Sequence, residues 1–320
     1  PVMHPMVLSP LRVTLCITLA AALAAESTSA VELRSPDGEL QVAISLDDSQ
    51  GPSSACIAYR VRYRGQTVVD ESRLRLELEG LRLTEGVRLG AAKTSSYDAL
   101  WRPVCGERSE IRDHYNQATI PLIQEDQSTN AAVFVTFRAY NQGIAFCYTI
   151  PKQAGLNTLR IHRERSEFRM TDNHRLWVAY RAQADYVPAR LNEVKAGCER
   201  PLTIKTGDDL YLAIGEARLV DYARMKFAPL DGVPNGLVSH LEGSVESALP
   251  LTTPWRVIMV ARSPGELLEN NHIFLNLNDP CAIDDTSWIR PGKVIREVTL
   301  TTAGGKACVD FAVARGLQYV

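Results

Sequence analysis

The sequence lacks a large excess of charge of either sign. Its 320 residues carry 35 Lys and Arg against 37 Asp and Glu, a formal net charge of -2. Nucleic-acid binding normally needs a broad positive surface that neutralises phosphates. The composition therefore excludes DNA and RNA as expected partners.

Several motifs of catalysis and ligand binding are also missing. The chain has no CxxC pair, which argues against a zinc site. It contains neither a Gly-x-Ser-x-Gly elbow nor a His-Glu-x-x-His sequence. Residues 300–307 resemble a phosphate-binding loop only superficially, because Leu300 stands where the first glycine belongs and Ala307 follows Lys306.

Long apolar runs are scarce, and the run near the amino terminus is short. Residues 13–25 are apolar, follow Arg12 and precede small residues at Thr28 and Ala30. A membrane-spanning helix needs about 20 apolar residues. The pattern predicts a signal peptide over residues 1–30, no membrane span, and a secreted or periplasmic protein.

Seven cysteines are present, of which Cys16 belongs to the predicted signal peptide. An oxidising compartment permits one or two disulfides among the other six, but their spacing defines no pairing. Positions inside apolar segments, such as Cys147, favour packed free thiols instead.

Hydrophobic residues alternate with polar ones from residue 31 to about residue 260. This period of two predicts β-strands with one buried face. The predicted strands include 40–46, 57–63, 74–78, 133–139, 144–150, 202–204, 210–214 and 255–260, and the predicted turns 35–38, 63–66, 140–143 and 206–209. So many strands without intervening helices indicate a mainly β fold, a large antiparallel sandwich forming one domain over residues 31–280.

The pattern changes after Pro280. Residues 293–300 are strand-like, residues 302–315 have helical character, Gly316 is a helix stop, and residues 317–320 begin another strand. This order predicts a β-α-β unit that opens a parallel sheet. Since a parallel strand needs neighbours and covering helices, we expect the chain to be a fragment of a longer protein.

Seven segments after residue 100 form a distinctive series. They are WRPVCGE (101–107), EIRDHYN (110–116), EARLVDY (216–222), TTPWR (252–256), LNLNDP (275–280), SWIRPGK (287–293) and VDFA (309–312). In sequence and in order they resemble segments of glycoside hydrolase family 97. Together with SPDG at 35–38 they extend over almost the whole chain after residue 30.

The resemblance implies a galactose-mutarotase-like super-sandwich followed by a (β/α)8 barrel, of which residues 281–320 are the start. It implies an exo-acting glycosidase that removes terminal α-glucosyl or α-galactosyl units with two carboxylates. In the family these acids lie in later barrel loops, so none of them is expected in this chain. Whether cleavage retains or inverts the anomeric configuration stays open.

The resemblance also implies a calcium ion, with one ligating Glu supplied by the sandwich. Alignment on the segment RLNE (190–193) places Gln183 at that Glu and Asp185-Tyr186 at the Asp-Tyr that follows. A neutral Gln is a weaker ligand than a carboxylate. Calcium is then bound mainly by the barrel, or Asp185 substitutes, or this branch has lost its metal dependence.

Candidate substrate or interface residues are Arg112, His114, Tyr115, Asn116 and Tyr186. A lone histidine such as His114 more often completes a local hydrogen-bond network than performs acid-base chemistry. Its neighbours are expected to brace the sandwich against the barrel. The four tryptophans are expected mostly in the core.

Two hypotheses for function follow. In the first, the chain is the non-catalytic part of an α-glycosidase. In the second, the sandwich is a carbohydrate-binding module without hydrolytic activity. The partner is an oligosaccharide or α-glycoside in both, a substrate in the first hypothesis and a bound ligand in the second.

Overall fold

The structure is a computed structural model that describes residues 30–320 except 81, 83, 125–132 and 154. The predicted signal peptide, apart from Ala30, therefore lies outside the described residues. The strands are β1 (Val31–Arg34), β2 (Leu40–Asp47), β3 (Cys56–Tyr63), β4 (Gln66–Leu78), β5 (Val87–Leu89), β6 (Lys93–Trp101), β7 (Ile111–Gln124), β8 (Val133–Tyr140), β9 (Gly143–Ile150), β10 (Thr158–Arg169), β11 (Arg175–Val178), β12 (Val187–Arg190), β13 (Leu202–Gly207), β14 (Leu210–Ala217), β15 (Met225–Pro229), β16 (Gly236–Leu241), β17 (Val245–Ala248), β18 (Leu251–Thr252) and β19 (Trp255–Ala261). The helices are α1 (Pro264–Glu269), α2 (His272–Asn276) and α3 (Thr302–Arg315), with 3-10 turns at Pro52–Ser54 and Leu191–Glu193.

The strands form two antiparallel sheets packed face to face. The smaller, 8-stranded sheet has the order β1-β2-β3-β4-β10-β16-β15, with β17 beside β10. The larger, 11-stranded sheet has the order β12-β11-β13-β14-β19-β9-β8-β7-β5, with β18 beside β9 and β6 beside β7. The predicted antiparallel super-sandwich is confirmed.

Alternation along the strands determines which residues enter the core. In β2, Leu40, Val42 and Ile44 are buried while the residues between them are half-buried. The hairpin from β3 to β4 turns at Arg64 and Gly65, whose φ angles of 50° and 81° are those of a two-residue type I′ turn. Such a turn matches the twist of the strands that it joins.

The main core lies between the two sheets. Five aromatic rings form its centre, and their neighbouring centroids are 5.2 to 6.4 Å apart. They are Tyr59, Phe137, Phe146, Phe168 and Phe227. Because these rings come from β3, β8, β9, β10 and β15, the core ties together strands that are distant in sequence.

A second, smaller core covers the outer face of the larger sheet. Helix α1 packs there against β19 and β14 and buries Leu267, and helix α2 packs against β14 and β7 and buries Ile273, in a cluster that includes Trp255. The expectation that tryptophans belong to the core holds for Trp255, whereas Trp101 and Trp177 are half-buried and Trp288 is 67% exposed.

The segment after Pro280 corrects one prediction. Helix α3 has the predicted bounds and ends at Gly316, whose φ is 64°. Residues 293–300 do not form the predicted strand, and residues 317–320 contribute one residue of pairing: Val294 and Tyr319 make a single parallel bridge. The described residues offer neither segment a second neighbour, and isolated parallel pairing is weak.

The described cysteines are free thiols, with Cys56, Cys147 and Cys198 buried. The expectation of packed free thiols is confirmed for these three, whereas Cys105 and Cys281 are exposed. None of the helices in the described residues has both the length and the apolar character that a membrane span requires.

Candidate functional site

The hairpin of β6 and β7 carries four of the sequence-predicted site residues. Arg112 donates two hydrogen bonds of 2.7 Å to the carboxylate of Asp98 on β6. These bonds, together with the positive charge of Arg112, lower the pKa of Asp98. His114 Nε2 lies 4.0 Å from the same carboxylate. Arg112 and His114 therefore surround Asp98 in a local polar network.

Asn116 fastens this hairpin to the edge of the smaller sheet. Its Nδ2 donates to the carbonyl of Arg34 at 2.9 Å, and its Oδ1 accepts from the Ser96 hydroxyl at 2.6 Å. Both the nitrogen and the oxygen of the side-chain amide thus have hydrogen-bond partners. Its position favours a structural role within the sandwich.

Tyr115 points to the opposite face of β7, into the second core. Its ring centroid lies 5.4 Å from that of Tyr97 and 5.2 Å from that of Tyr140. The Arg138 guanidinium lies 4.2 Å from the Tyr115 centroid and 4.7 Å from that of Trp255. This aromatic stack holds an arginine by cation-π attraction on the outer face of the larger sheet.

The loop between β11 and β12, residues 179–186, carries the other predicted residues. Gln183 has a φ of 61°, in the left-handed region, and is exposed. Asp185 is exposed, and Tyr186 is 51% exposed. The loop therefore presents an amide, a carboxylate and a phenol to solvent.

The structure does not bring the predicted residues of the β6–β7 hairpin together with those of the loop 179–186. Strand β11 and strand β7 are six steps apart in the order of the larger sheet. At roughly 4.8 Å per strand this corresponds to about 29 Å along the sheet. The predicted site residues thus lie on two separate surfaces, a separation that follows from the strand order.

The residues present do not fit a complete calcium site. Calcium takes about six to eight oxygen ligands, and the loop offers Gln183 and Asp185. Within the described part of the chain, no group of three or more His, Cys, Asp or Glu side chains has the arrangement of a metal site.

The sequence reasoning missed a charged cluster inside the sandwich. Arg256 is 1% exposed and donates to both oxygens of the buried Glu164 at 2.6 Å. It also donates to Glu216 at 2.7 Å. The Tyr222 hydroxyl donates to Glu164 at 3.1 Å, and burial together with the Glu164 charge raises the pKa of Tyr222. The signal was in the sequence, because EARLVDY and TTPWR supply three of these residues.

This cluster continues toward the surface as alternating charges. Glu216 accepts from Arg200 at 2.6 Å, and Arg200 donates to Glu199 at 3.0 Å. Arg224 and Lys226 each lie 3.1 Å from Glu199. Alternation of sign lets each buried charge keep a partner, which a buried charge requires.

Asn276 joins two further motifs. Its Oδ1 accepts from the indole of Trp101 at 2.9 Å, and its Nδ2 donates to the Arg112 carbonyl at 3.0 Å. Helix α2 thereby fastens both ends of the loop between β6 and β7. The segments WRPVCGE, EIRDHYN and LNLNDP thus serve one structural junction.

Comparison with protein families identifies this arrangement. Residues 33–280 match the family described as glycosyl-hydrolase 97 N-terminal. Since the match includes most of the chain, the chain belongs to the N-terminal domain family of glycoside hydrolase family 97. The resemblance inferred from the motifs is confirmed.

Curated relatives include two bacterial enzymes. The retaining alpha-galactosidase of Bacteroides thetaiotaomicron is 26% identical over 359 aligned positions, covering 96% of this chain and 51% of the relative. The probable retaining alpha-galactosidase of Streptomyces bingchenggensis is 27% identical over 334 positions, covering 97% of this chain and 48% of the relative. The chain spans about half the length of these relatives.

Solved structures have the same fold. A glycoside hydrolase family 97 enzyme from Pseudoalteromonas sp. strain K8, in complex with acarbose, superposes with a TM-score of 0.79 and 28% identity, over 90% of this chain and 46% of that one. A variant of it in complex with panose gives the same values.

Proposed function

We propose that this chain is the non-catalytic N-terminal part of an exported, exo-acting α-glycosidase. The observation that carries the proposal is the family match over residues 33–280, combined with relatives that are about twice as long as the chain. The residues shared with the family motifs support it, because Asn276, Arg256 and Glu216 are occupied in structural contacts. On this proposal the chain supplies a scaffold, and the catalytic carboxylates come from the remaining part of the protein.

Terminal α-galactosides are the first candidate substrates, because both curated relatives are described as retaining alpha-galactosidases. Retention of configuration would require two carboxyl groups about 5 Å apart. Terminal α-glucosides are the second candidate, because the similar structures were solved with acarbose and panose, and panose consists of α-linked glucose. The sandwich itself contributes no observation that separates the two sugars.

Export and calcium dependence are part of the proposal. The apolar run 13–25 followed by small residues supports a cleaved signal peptide and a periplasmic or extracellular protein. The exposed oxygens of Gln183 and Asp185 support a partial calcium ligand set, which further ligands from the rest of the protein would complete.

Hydrolysis of paired nitrophenyl α-galactoside and α-glucoside tests the proposal. We expect cleavage by the full-length gene product and none by residues 30–320 alone, with the α-galactoside cleaved faster. If neither protein hydrolyses either glycoside, the glycosidase proposal is rejected and the alternative, a carbohydrate-binding sandwich, is favoured. Anomeric NMR of the first product distinguishes retention from inversion.

The calcium part has its own test. In the full-length protein, Asp185→Ala is expected to weaken calcium binding measured by titration calorimetry, because it removes a charged ligand. Asp209→Ala is the matched control, since Asp209 is an exposed acid in the turn between β13 and β14. Equal calcium affinity in both variants would remove Asp185 from the ligand set.

A further inference from the structure

Three cations stand side by side on the outer face of the larger sheet. Arg175 of β11 is directly opposite Arg190 of β12 on one side and Lys205 of β13 on the other. The buried residues Leu176 and Ile204 alternate with them and face the core, so the three cations face outward. Cross-strand neighbours on one face have Cβ atoms about 5 Å apart. The row Arg190-Arg175-Lys205, here named the cationic row, thus concentrates three positive charges.

The side chains of the cationic row form no ion pair with a described residue, although the Glu193 carboxylate accepts from the Arg190 backbone N–H at 2.7 Å. None of the row's three side chains has a described carboxylate within 4.0 Å of its nitrogens. Two arginines on the smaller sheet do have such a partner: Arg60 lies 3.0 Å from Asp70, and Arg169 lies 2.7 Å from Glu167. Like charges directly opposite each other destabilise a sheet. An unpaired row of them is therefore a cost that points to a ligand.

Aromatic rings hold two of these cations in place. The Arg175 guanidinium lies 5.6 Å from the centroid of Trp177, and Lys205 Nζ lies 5.8 Å from that of Tyr211. Arg190 donates to the carbonyl of Asn173 at 3.2 Å. Each charge is thus positioned by a neutral contact, which leaves it available to an anion.

A flat apolar strip runs beside the cationic row on the same face. Trp177 is directly opposite the exposed Pro188, two residues along the strands from Arg175 and Arg190. Two residues of strand separate the strip from the row by about 7 Å. The ring of a sugar can lie over this strip while its acidic group reaches the cations.

We infer that the cationic row and the strip beside it form a binding surface for an acidic polysaccharide, a chain whose sugars carry carboxylate groups. The spacing between neighbouring cations is close to the length of one sugar unit, so a polymer with one charge per sugar can engage all three. The cationic row lies at the end of β11 away from the loop 179–186, whereas the strip of Trp177 and Pro188 lies between the row and that loop. This surface would hold the protein on an acidic glycan.

Titration of the 320-residue chain with polygalacturonate, followed by Trp fluorescence and by affinity electrophoresis, tests the inference. Each of Arg175→Gln, Arg190→Gln and Lys205→Gln should weaken binding about threefold at low salt, and the triple variant at least about tenfold. Arg62→Gln is the matched control, because Arg62 is an exposed strand arginine on the smaller sheet with no ion pair in the described residues. It should change binding by less than about twofold.

Two further arms distinguish a glycan surface from unspecific charge attraction and from a site for an acidic protein. The triple variant should be at least as stable to urea as the wild type, since it removes like-charge repulsion. Neutral dextran should not bind, and polyglutamate should bind more weakly than polygalacturonate. Trp177→Leu should weaken the binding of polygalacturonate more than that of polyglutamate, because only a sugar ring also packs on the indole. The inference is overturned if the wild type does not bind polygalacturonate, or if Arg62→Gln lowers the affinity as much as the triple variant does. It is also overturned if polyglutamate binds as tightly as polygalacturonate, a result that would indicate an acidic protein partner.

Discussion

Arg256 keeps its charge inside the sandwich because the carboxylates of Glu164 and Glu216 accept hydrogen bonds from its guanidinium. Its partner Glu164 is 92 positions away in sequence and is likewise buried, with 1% exposed. Removing one member of a buried pair leaves an uncompensated charge, which is far costlier than breaking an exposed pair.

Replacing Arg256 should therefore strongly destabilise the fold. We expect Arg256→Met to lower the free energy of unfolding by about 3 to 5 kcal/mol, measured by urea denaturation. Arg262→Gln is the control, because Arg262 is exposed and lies 3.0 Å from Glu266; it should cost less than about 1 kcal/mol. Adding Glu164→Gln to Arg256→Met should restore part of the loss. Equal costs for the two arginines would show that burial adds nothing to the strength of the pair.

Asn276 provides a second test at the residue scale. Asn276→Ala removes both hydrogen bonds of the junction and leaves the Trp101 indole without its acceptor. We expect a loss of about 1 to 3 kcal/mol in unfolding free energy and a changed near-ultraviolet circular dichroism of Trp101. Asn278→Ala is the matched variant, since Asn278 is exposed and its side chain donates to the Phe274 carbonyl within the same segment at 2.7 Å. A larger effect at Asn278 would refute the junction.

At the scale of elements, hairpins of the larger sheet differ in how closely their strands approach. Gly143 begins β9 opposite Met259 of β19. A Cβ atom at Gly143 would lie 2.4 Å from the Ile258 carbonyl oxygen, whereas one at Gly207 would meet nothing nearer than the Leu210 Cβ at 3.6 Å. Both positions belong to turns that the sequence predicted, and only one is crowded.

The two glycines should respond differently to the same substitution. Gly143→Ala forces β9 away from the centre of the sheet and should cost about 3 kcal/mol in unfolding free energy. Gly207→Ala should change it by less than about 0.5 kcal/mol. Urea midpoints of both variants measure the difference, and equal midpoints would show that the close contact between β9 and β19 relaxes freely.

At the scale of the whole molecule, the segment after Pro280 is distinct from the sandwich. Its apolar side chains are largely exposed, with Val298 at 73% and Val313 at 76%. Exposed apolar surface of this kind is normally covered by another part of a protein.

Residues 30–320 should therefore self-associate with rising concentration, while residues 30–280 should stay monomeric, as measured by sedimentation velocity. Both chains should unfold at the same temperature, because the two cores lie within residues 30–280. Val298→Ser with Val313→Ser in the longer chain should reduce association. A lower unfolding temperature for the shorter chain would instead assign the segment a part in the fold.

Local pattern alone determined eight of the described strands, the turn positions, the bounds of α3 and the family. Side-chain alternation and helix capping act between near neighbours, so residues such as Leu40, Val42 and Gly316 reveal their roles in sequence. The order of the motifs identified the family from sequence as well, because comparing motifs requires no knowledge of contacts between distant residues.

Only the tertiary structure decided which residues meet. Strand order across the larger sheet separated His114 from Gln183 and aligned Arg175 with Arg190 and Lys205. It also joined Arg256 to Glu164, and it left residues 293–300 without the neighbours that a strand needs. These outcomes depend on pairing between distant segments, which alternation within one segment does not encode.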